Sequence, residues 1–358
     1  MHFTKVARKA AKLRQAGFSQ REIDFLELMA VPDEDIPFFL SEKFSWSRFF
    51  PSVNGPQQQV LNDKFITQKF LESLGVAMPT LIGLWHPSYG CTPSGEPLRT
   101  ARELNALLAK RASNNDTMEL IFKPRAGRLG KNVISVALQS DQKDFIVSQS
   151  GCAPLSLQDF IAGLTPDDHS HFGSQDQGWL VQERVTQHPE IAVLNPSSLN
   201  TVRITTYLTR SQGAPSRNGE AVTDFAFLRV GRAGSATDGW SEGGGLAINV
   251  DIADGTLGAG LFSKRPASST QNHHPDSQVH FEGRRLPFWN DAKALCEQTA
   301  LLFPDVRSIG WDVALTETGP LIVEGNAKWV PMMPQAFGGA YFTGERRDRL
   351  LRDGAVLP

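Results

Sequence analysis

Apolar residues recur at helical spacing in some stretches of the chain and form short, strand-length runs in others. In NDKFITQKFLESLG (62–75), Phe65, Ile66, Phe70, Leu71 and Leu74 follow each other at helical intervals. That spacing predicts an amphipathic helix that starts at Asn62 or Asp63 and is stopped by Gly75. Residues 2–30 read as two helices, the first stopped at Gly17 and the second begun at Ser19, where Glu22 completes a capping box. Further helices are expected at Ala101–Lys110, Leu155–Ile161 and Leu286–Leu302. Strand-length apolar runs lie at 76–86, Met118–Lys123 and Trp179–Val185, and the region 201–262 is rich in them. Residues 31–60, rich in Pro, Phe and Ser, predict an irregular packed arm, and 164–178 an exposed loop. The order lacks the βαβ rhythm of a doubly wound sheet, so mixed, mainly antiparallel α+β lobes are expected.

One hairpin concentrates the chemistry. Ile309–Leu315 and Pro320–Glu324 predict two strands joined by a three-residue loop, Glu317-Thr318-Gly319, with Gly319 taking a positive φ. That register pairs Thr316 with Pro320 and sets Asp312 opposite Glu324. Side chains alternate along a strand, so Asn326 shares their face. Two carboxylates and an amide oxygen suit Mg²⁺ that is also held by phosphates. The alternative is a hairpin with solvated acids, but inward-facing carboxylates in such apolar strands are costly unless something coordinates them.

Composition narrows the class. The chain has 358 residues, 40% of them hydrophobic and 21% charged, and a net charge of −2. It is long enough for one large or two to three small domains. The near-neutral balance argues against a nucleic-acid partner, whose binding needs a basic footprint. Cys91, Cys152 and Cys296 are widely spaced and form no CxxC pair, which fits neither a disulfide framework nor a zinc site. A reducing compartment is expected. No run approaches the ~20 apolar residues of a membrane span, and the first residues lack a signal-peptide core, so a cytoplasmic location is expected. Lys5, Arg8, Lys9, Lys12 and Arg14 make the first helix basic. A solvated face is the leading reading, and contact with an anionic membrane surface the alternative.

Several other residues are candidates for a site. Lys123 ends a strand and is followed by a turn with Gly127, Arg128, Gly130 and Lys131. Glycines let the backbone approach an anion while the cations supply charge; the alternative is a plain turn, and GxxxxGK[ST] is absent. Glu183 ends a strand seven residues before Glu190, which suits an adenine-contacting linker followed by an acid for ribose hydroxyls; the alternative is a pair of ordinary exposed glutamates. Arg203 and Arg229 each interrupt an apolar strand, and a buried arginine needs an anionic partner. A structural ion pair and a bound phosphate or carboxylate both meet that need. Lys264 is a weaker candidate of the same kind. His273 and His274, in a polar loop, receive no role.

Taken in order, Lys123, the glycine turn, Gln182-Glu183, Glu190, Arg203, Arg229, Asp312, Glu324 and Asn326 resemble the ATP-grasp fold. NDKFITQKFLESLGVAMPT looks like that fold's DK…F…G…P segment. HPEIAVLNPSSLNTVRITT and GWDVALTETGPLIVEGNAKWVPMMPQ most resemble its sugar-transfer-associated branch. Arg203, Arg229 and Gly243–Gly245 look like features of the related alpha-L-glutamate ligases. The resemblance implies an α+β fold, two lobes gripping ATP, with a helix-rich N-terminal extension (1–60). An N-terminal α/β segment (61–115), a small central lobe with the phosphate loop (116–185), a C-terminal lobe with the metal site (186–345) and a charged tail (346–358) would follow.

The resemblance also implies roles. Lys64, Lys123, Gly127, Arg128, Gly130, Lys131 and Lys264 would contact the nucleotide, with Gln182 and Glu183 to Val185 at the adenine and Glu190 at the ribose. Asp312, Glu324 and Asn326 would bind one or two Mg²⁺ ions, and Arg203 and Arg229 would serve the chemistry. An ADP-forming ligase is implied, one that joins a small-molecule carboxylate to an amine (or thiol) through an acyl phosphate. A small-molecule kinase and a non-catalytic nucleotide-binding module are the alternatives. Two departures matter: only about sixty residues precede the DK segment, where the family carries a full domain, and NxSPG after the metal asparagine is replaced by Asn326-Ala327-Lys328-Trp329-Val330-Pro331. The acceptor site is therefore not carried over from the resemblance, and the oligomeric state is not read.

Overall fold

The computed structural model describes residues 2–112, 117–127, 130–141, 144–164, 177–209, 219–240 and 244–358. Arg128, Gly243 and most of the expected loop at 164–178 lie outside the described residues. The chain divides into two compact units, 62–186 and 1–61 with 187–358. Among the described residues, each is built on one six-stranded antiparallel sheet, with helices beside it. The fold is α+β.

The smaller unit contains β1 (Leu81–Trp85), β2 (Thr117–Pro124), β3 (Ile134–Asp141), β4 (Asp144–Ser148), β5 (Leu155–Ser156) and β6 (Trp179–Glu183), in the order β1-β6-β2-β3-β4-β5. Its core gathers Leu104 and Leu108 of the helix Ala101–Arg111 with Leu120, Phe122, Val136 and Leu138. The helix Lys64–Ser73 is capped by Asp63, whose side chain accepts from the Phe65 and Ile66 amides, and Gly75 follows it at φ +77°. Its apolar stripe is only partly inward. Leu71 is buried, whereas Ile66, Phe70 and Leu74 lie exposed, because the neighbouring inward positions hold Thr67 and Gln68. Gln68 is satisfied there: its amide nitrogen donates to the Pro79 carbonyl and Glu72, and its oxygen accepts from Gln182.

The larger unit contains β7 (Thr201–Leu208), β8 (Ala221–Val230), β9 (Leu246–Val250), β10 (Leu257–Phe262), β11 (Ser308–Thr316) and β12 (Gly319–Asn326), in the order β10-β9-β8-β7-β11-β12. The helix Trp289–Ala300 packs on this sheet, and Phe303 just beyond it meets Trp311 with ring centroids 6.1 Å apart. Val202, Ile204, Trp311 and Val313 are fully buried. Strand alternation then turns Arg203 and Asp312 to the opposite face.

The first sixty residues pack within this unit. Ser19 caps the helix Gln20–Phe25 with a complete capping box, as its sequence implied. A π-helical turn, Ser45–Phe49, leads into Phe50, and Phe49 and Phe50 pack edge-on against Trp329, Tyr341 and Phe342. Asn54 donates to the Ser308 and Ala327 carbonyls at 2.9 and 2.6 Å and accepts from the Ser308 amide at 2.9 Å. Gln335 pairs with both backbone groups of Leu40. The C-terminal segment is likewise built in: the helix Gly344–Arg352 buries Leu350, and Tyr341, Arg346 and Arg349 converge on the buried Asp224. Its charges hid this in the sequence, although two of them, Arg346 and Arg349, serve that single carboxylate.

Candidate functional site

The hairpin of β11 and β12 aligns Asp312 with Glu324 as expected, but by a different route. The loop has two residues, Glu317 and Thr318, so Thr316 pairs with Gly319 and Leu315 with Pro320. Gly319 takes the expected positive φ, +123°. Thr316 Oγ1 tightens the turn by donating to the Gly319 carbonyl and accepting from the Thr318 amide. The register then shifts by one between Asp312 and Val313, leaving Val323 as an extra residue, and this bulge restores the Asp312–Glu324 pair. Asn326 pairs with Gly310, one step along the same face.

Both strand arginines meet Asp312. On β7, Arg203 is its cross-strand partner and forks onto it, Nε to Oδ1 at 2.5 Å and Nη2 to Oδ2 at 3.0 Å. From β8, Arg229 Nη2 reaches Oδ2 of the same carboxylate at 2.9 Å. Gly310 leaves room for this arrangement, since a Cβ there would stand 3.3 Å from Arg203 Cδ and Nη1. Burial alone would push the Asp312 carboxyl up; the guanidiniums of Arg203 and Arg229 outweigh it and hold the group below the usual carboxylate range. Asp312 is thus a buried, charged carboxylate.

Arg229 has a second anionic neighbour that the sequence did not single out. Its Nε lies 3.3 Å from Asp238 Oδ2, and its Nη2 donates to Thr201 Oγ1 at 2.8 Å. Thr201 gives its amide (3.1 Å) and its hydroxyl to the same Asp238 oxygen. Burial raises the Asp238 carboxyl, and the charge of Arg229 offsets only part of that. A buried polar network holds this loop. Asn200 Oδ1 accepts from the Gly231 amide and the Ser198 hydroxyl, and Gln187 bridges Asn195, Ser198 and Asn200. The readable signal was the density of Asn and Ser in NPSSLN ahead of an apolar strand.

Asp312, Glu324 and Asn326 would suit a hard cation. They offer two carboxylates and an amide oxygen on one face, and Asn326 Nδ2 is buried with no hydrogen-bond partner among the described residues, so nothing there fixes which way the amide points. Among the described residues, no group of three or more His, Cys, Asp or Glu could hold a metal ion.

In the smaller unit, Lys123 is buried on β2 opposite Leu180, and Lys64 Nζ donates to the Gly127 carbonyl at 2.6 Å. Asp63 adds a link that the sequence reading lacked: Arg125, two residues beyond Lys123, forks onto it at 2.7–2.9 Å. Gly130 and Asn132 take positive φ in the turn carrying Lys131. The side chain of Gln182, a residue expected at a nucleotide, donates to Gln68 at 2.5 Å. Glu183 ends β6 and meets Arg111 at 3.3 Å, and Val185 follows in the extended segment after it. In the larger unit, Glu190 is exposed on a short helix capped by His188, and Lys264 is exposed in the turn after β10.

Over residues 46–347 the sequence matches the family described as sugar-transfer-associated ATP-grasp. No curated protein matches it by sequence. Among solved structures, phosphoribosylamine–glycine ligase from Thermotoga maritima is 10% identical with a TM-score of 0.47, the match covering 92% of this chain and 64% of that one. D-alanine–D-alanine ligase from Bacillus anthracis, complexed with ATP, is 13% identical with a TM-score of 0.39 and coverage of 85% and 70%. Biotin carboxylase from Campylobacter jejuni is 10% identical with a TM-score of 0.42 and coverage of 84% and 48%. The chain therefore spans less than two thirds of the length of the first and third of these.

Proposed function

The chain belongs to the sugar-transfer-associated ATP-grasp family, and from that premise we propose that it is an ATP-dependent ligase joining a carboxylate to an amine or thiol. A carboxylate oxygen takes the γ-phosphoryl group of ATP, giving an acyl phosphate and ADP. The nucleophile then attacks the carbonyl carbon, loses its proton and expels phosphate. Such chemistry needs mainly positioning and charge neutralisation.

Lys64, Lys123 and Lys131 offset phosphate charge, with Gly127, Arg128 and Gly130 as the backbone cradle and Lys264 as an auxiliary cation. Glu183 to Val185 meet adenine through backbone groups, and Glu190 takes the ribose hydroxyls. Gln182 supports this segment through its bond to Gln68. Asp312, Glu324 and Asn326 would hold Mg²⁺, which when bound would supply neutralisation of phosphate charge. Arg203 and Arg229 receive the substrate carboxylate and the phosphoryl group it acquires, because a guanidinium fork matches two oxygens at once. The family description makes an amino acid or other carboxylate and an amino sugar reasonable substrates.

One observation carries the reading. A buried, charged Asp312 holds two guanidiniums on the sheet face that also bears Glu324 and Asn326. The test is ADP release against pools of carboxylates and amines. A ligase releases ADP at full rate only with both present. Release that needs a hydroxyl compound alone, with a stable phosphorylated product, replaces this reading with the kinase one.

A further inference from the structure

Arg203 and Arg229 are not equivalent. Both hydrogen bonds that Arg203 makes to a carboxylate go to Asp312. Arg229 divides its guanidinium: Nη2 turns to Asp312 at 2.9 Å, while Nε turns to Asp238 at 3.3 Å and Thr201 Oγ1 at 3.3 Å. Asp238 is 9% exposed, and Thr201 ties both its amide and its hydroxyl to the same Asp238 oxygen that faces Arg229. Behind Thr201, the Asn200–Gly231 hydrogen bond and the parallel bridge between Leu199 and Thr237 fix the loop carrying Asp238.

We infer that Asp238, bridged by Thr201, is a positioning residue: it anchors Arg229 independently of Asp312, which leaves Arg203 as the arginine whose carboxylate contacts, among the described residues, go to Asp312. The inference rests on the ligase reading only for what the two arginines then do. Were Asp312 to hold a cation, Arg203 would give up oxygens of its present partner and could fork onto the substrate's carboxylate. Arg229 keeps Asp238, stays in place and lends its remaining edge to the transferring phosphoryl group. A guanidinium with no remaining anion would instead have to leave the buried face or take a new partner.

The geometry supplies its own probe, because Arg203 Nε donates to Asp312 while Arg229 Nε donates to Thr201 Oγ1 beside Asp238. In full-length protein labelled with ¹⁵N-arginine, the Nε–Hε signals are assigned with Arg203→Lys and Arg229→Lys, and Hε exchange with water is measured. Asp238→Asn should speed exchange at Arg229 about tenfold and leave Arg203 within twofold of wild type. Thr201→Val, which keeps the charge and nearly the volume, should move Arg229 in the same direction and serves if Asp238→Asn does not fold. Unchanged exchange at Arg229 in these variants, or equal acceleration at both arginines, overturns the anchor. The reaction is read separately as hydroxamate formed from the carboxylate pool with ATP and hydroxylamine, where Asp238→Asn should lose about tenfold. Faster exchange with undiminished hydroxamate overturns the positioning role. A wild type that forms no hydroxamate defeats the ligase reading, and the exchange rates still decide the anchor.

Discussion

Arg203 lies across Asp312 with both of its paired bonds made, Nε to Oδ1 at 2.5 Å and Nη2 to Oδ2 at 3.0 Å, from the strand directly beside it. Arg229 reaches the same carboxylate from one strand further on. The carboxylate proposed as a cation ligand is therefore also the counter-ion of two buried guanidiniums, so in this account structure and chemistry are coupled at Asp312.

Asp312→Ala should cost stability as well as activity. Removing one member of a buried ion cluster strands its partners, at about 3–5 kcal/mol, which urea unfolding will register. The acid limb follows from the depressed carboxyl. A depressed folded-state value gives stability that is fully present above the unfolded-chain value of about 3.9 and is lost as pH falls through the folded one. Wild type should therefore lose more stability than Asp312→Asn as pH falls below about 3.9. Equal losses would remove the charge of Asp312 from the account.

Glu324→Gln separates the cation role from the scaffold. Glu324 is half-buried and shares the sheet face with Asp312. Loss of a metal ligand removes several kcal/mol of charge stabilisation, so Mg²⁺-dependent ATP turnover should fall at least about a hundredfold. The melting temperature should stay within a few degrees of wild type. Turnover within threefold of wild type would remove Glu324 from the cation site.

Gly310→Ala tests the space that Arg203 occupies. The new methyl would stand 3.3 Å from Arg203 Cδ and Nη1 and 3.4 Å from Trp329 Cβ. Overpacking of this kind costs about 1–3 kcal/mol, and displacement of the guanidinium should slow ADP release about tenfold. Unaltered turnover would mean that the placement of Arg203 is not limiting.

Asn54→Ala tests how the N-terminal arm supports the site. Asn54 joins Ser308 at the start of β11 to Ala327 just past Asn326 by three hydrogen bonds. Leaving such buried groups unsatisfied costs about 1–3 kcal/mol each, so a loss of about 2–4 kcal/mol in unfolding free energy is expected. A change below about 0.5 kcal/mol would mean that the arm is held elsewhere.

Much of this was legible in the sequence because local chemistry decided it. The Ser19 capping box, the Asp63 cap and the positive φ of Gly319 depend on neighbours a few residues away. The Asp312–Glu324 pair was foreseen, but through a three-residue loop; the short turn and the bulge at Val323 compensate for each other, and neither has a marker in apolar residues. The helix Lys64–Ser73 looked more deeply buried than it is, because periodicity cannot reveal that Gln68 turns inward to Gln182. Asp238 went unnoticed because its partners Thr201 and Arg229 are 37 and 9 residues away in sequence and meet it only in the folded loop. The charged tail gave no sign of its packing for the same reason: Arg346 and Arg349 answer to Asp224, more than a hundred residues earlier.

The acyl phosphate is the centre of the account, and trapping it is the most direct measurement. In a single turnover with ATP, Mg²⁺, the carboxylate pool and hydroxylamine, wild type should yield a hydroxamate together with ADP. Arg203→Lys should lose most of that yield while binding ATP within about threefold of wild type, since lysine cannot reproduce the fork. A phosphorylated product that hydroxylamine leaves untouched, or a hydroxamate yield that Arg203→Lys does not lower, would contradict it.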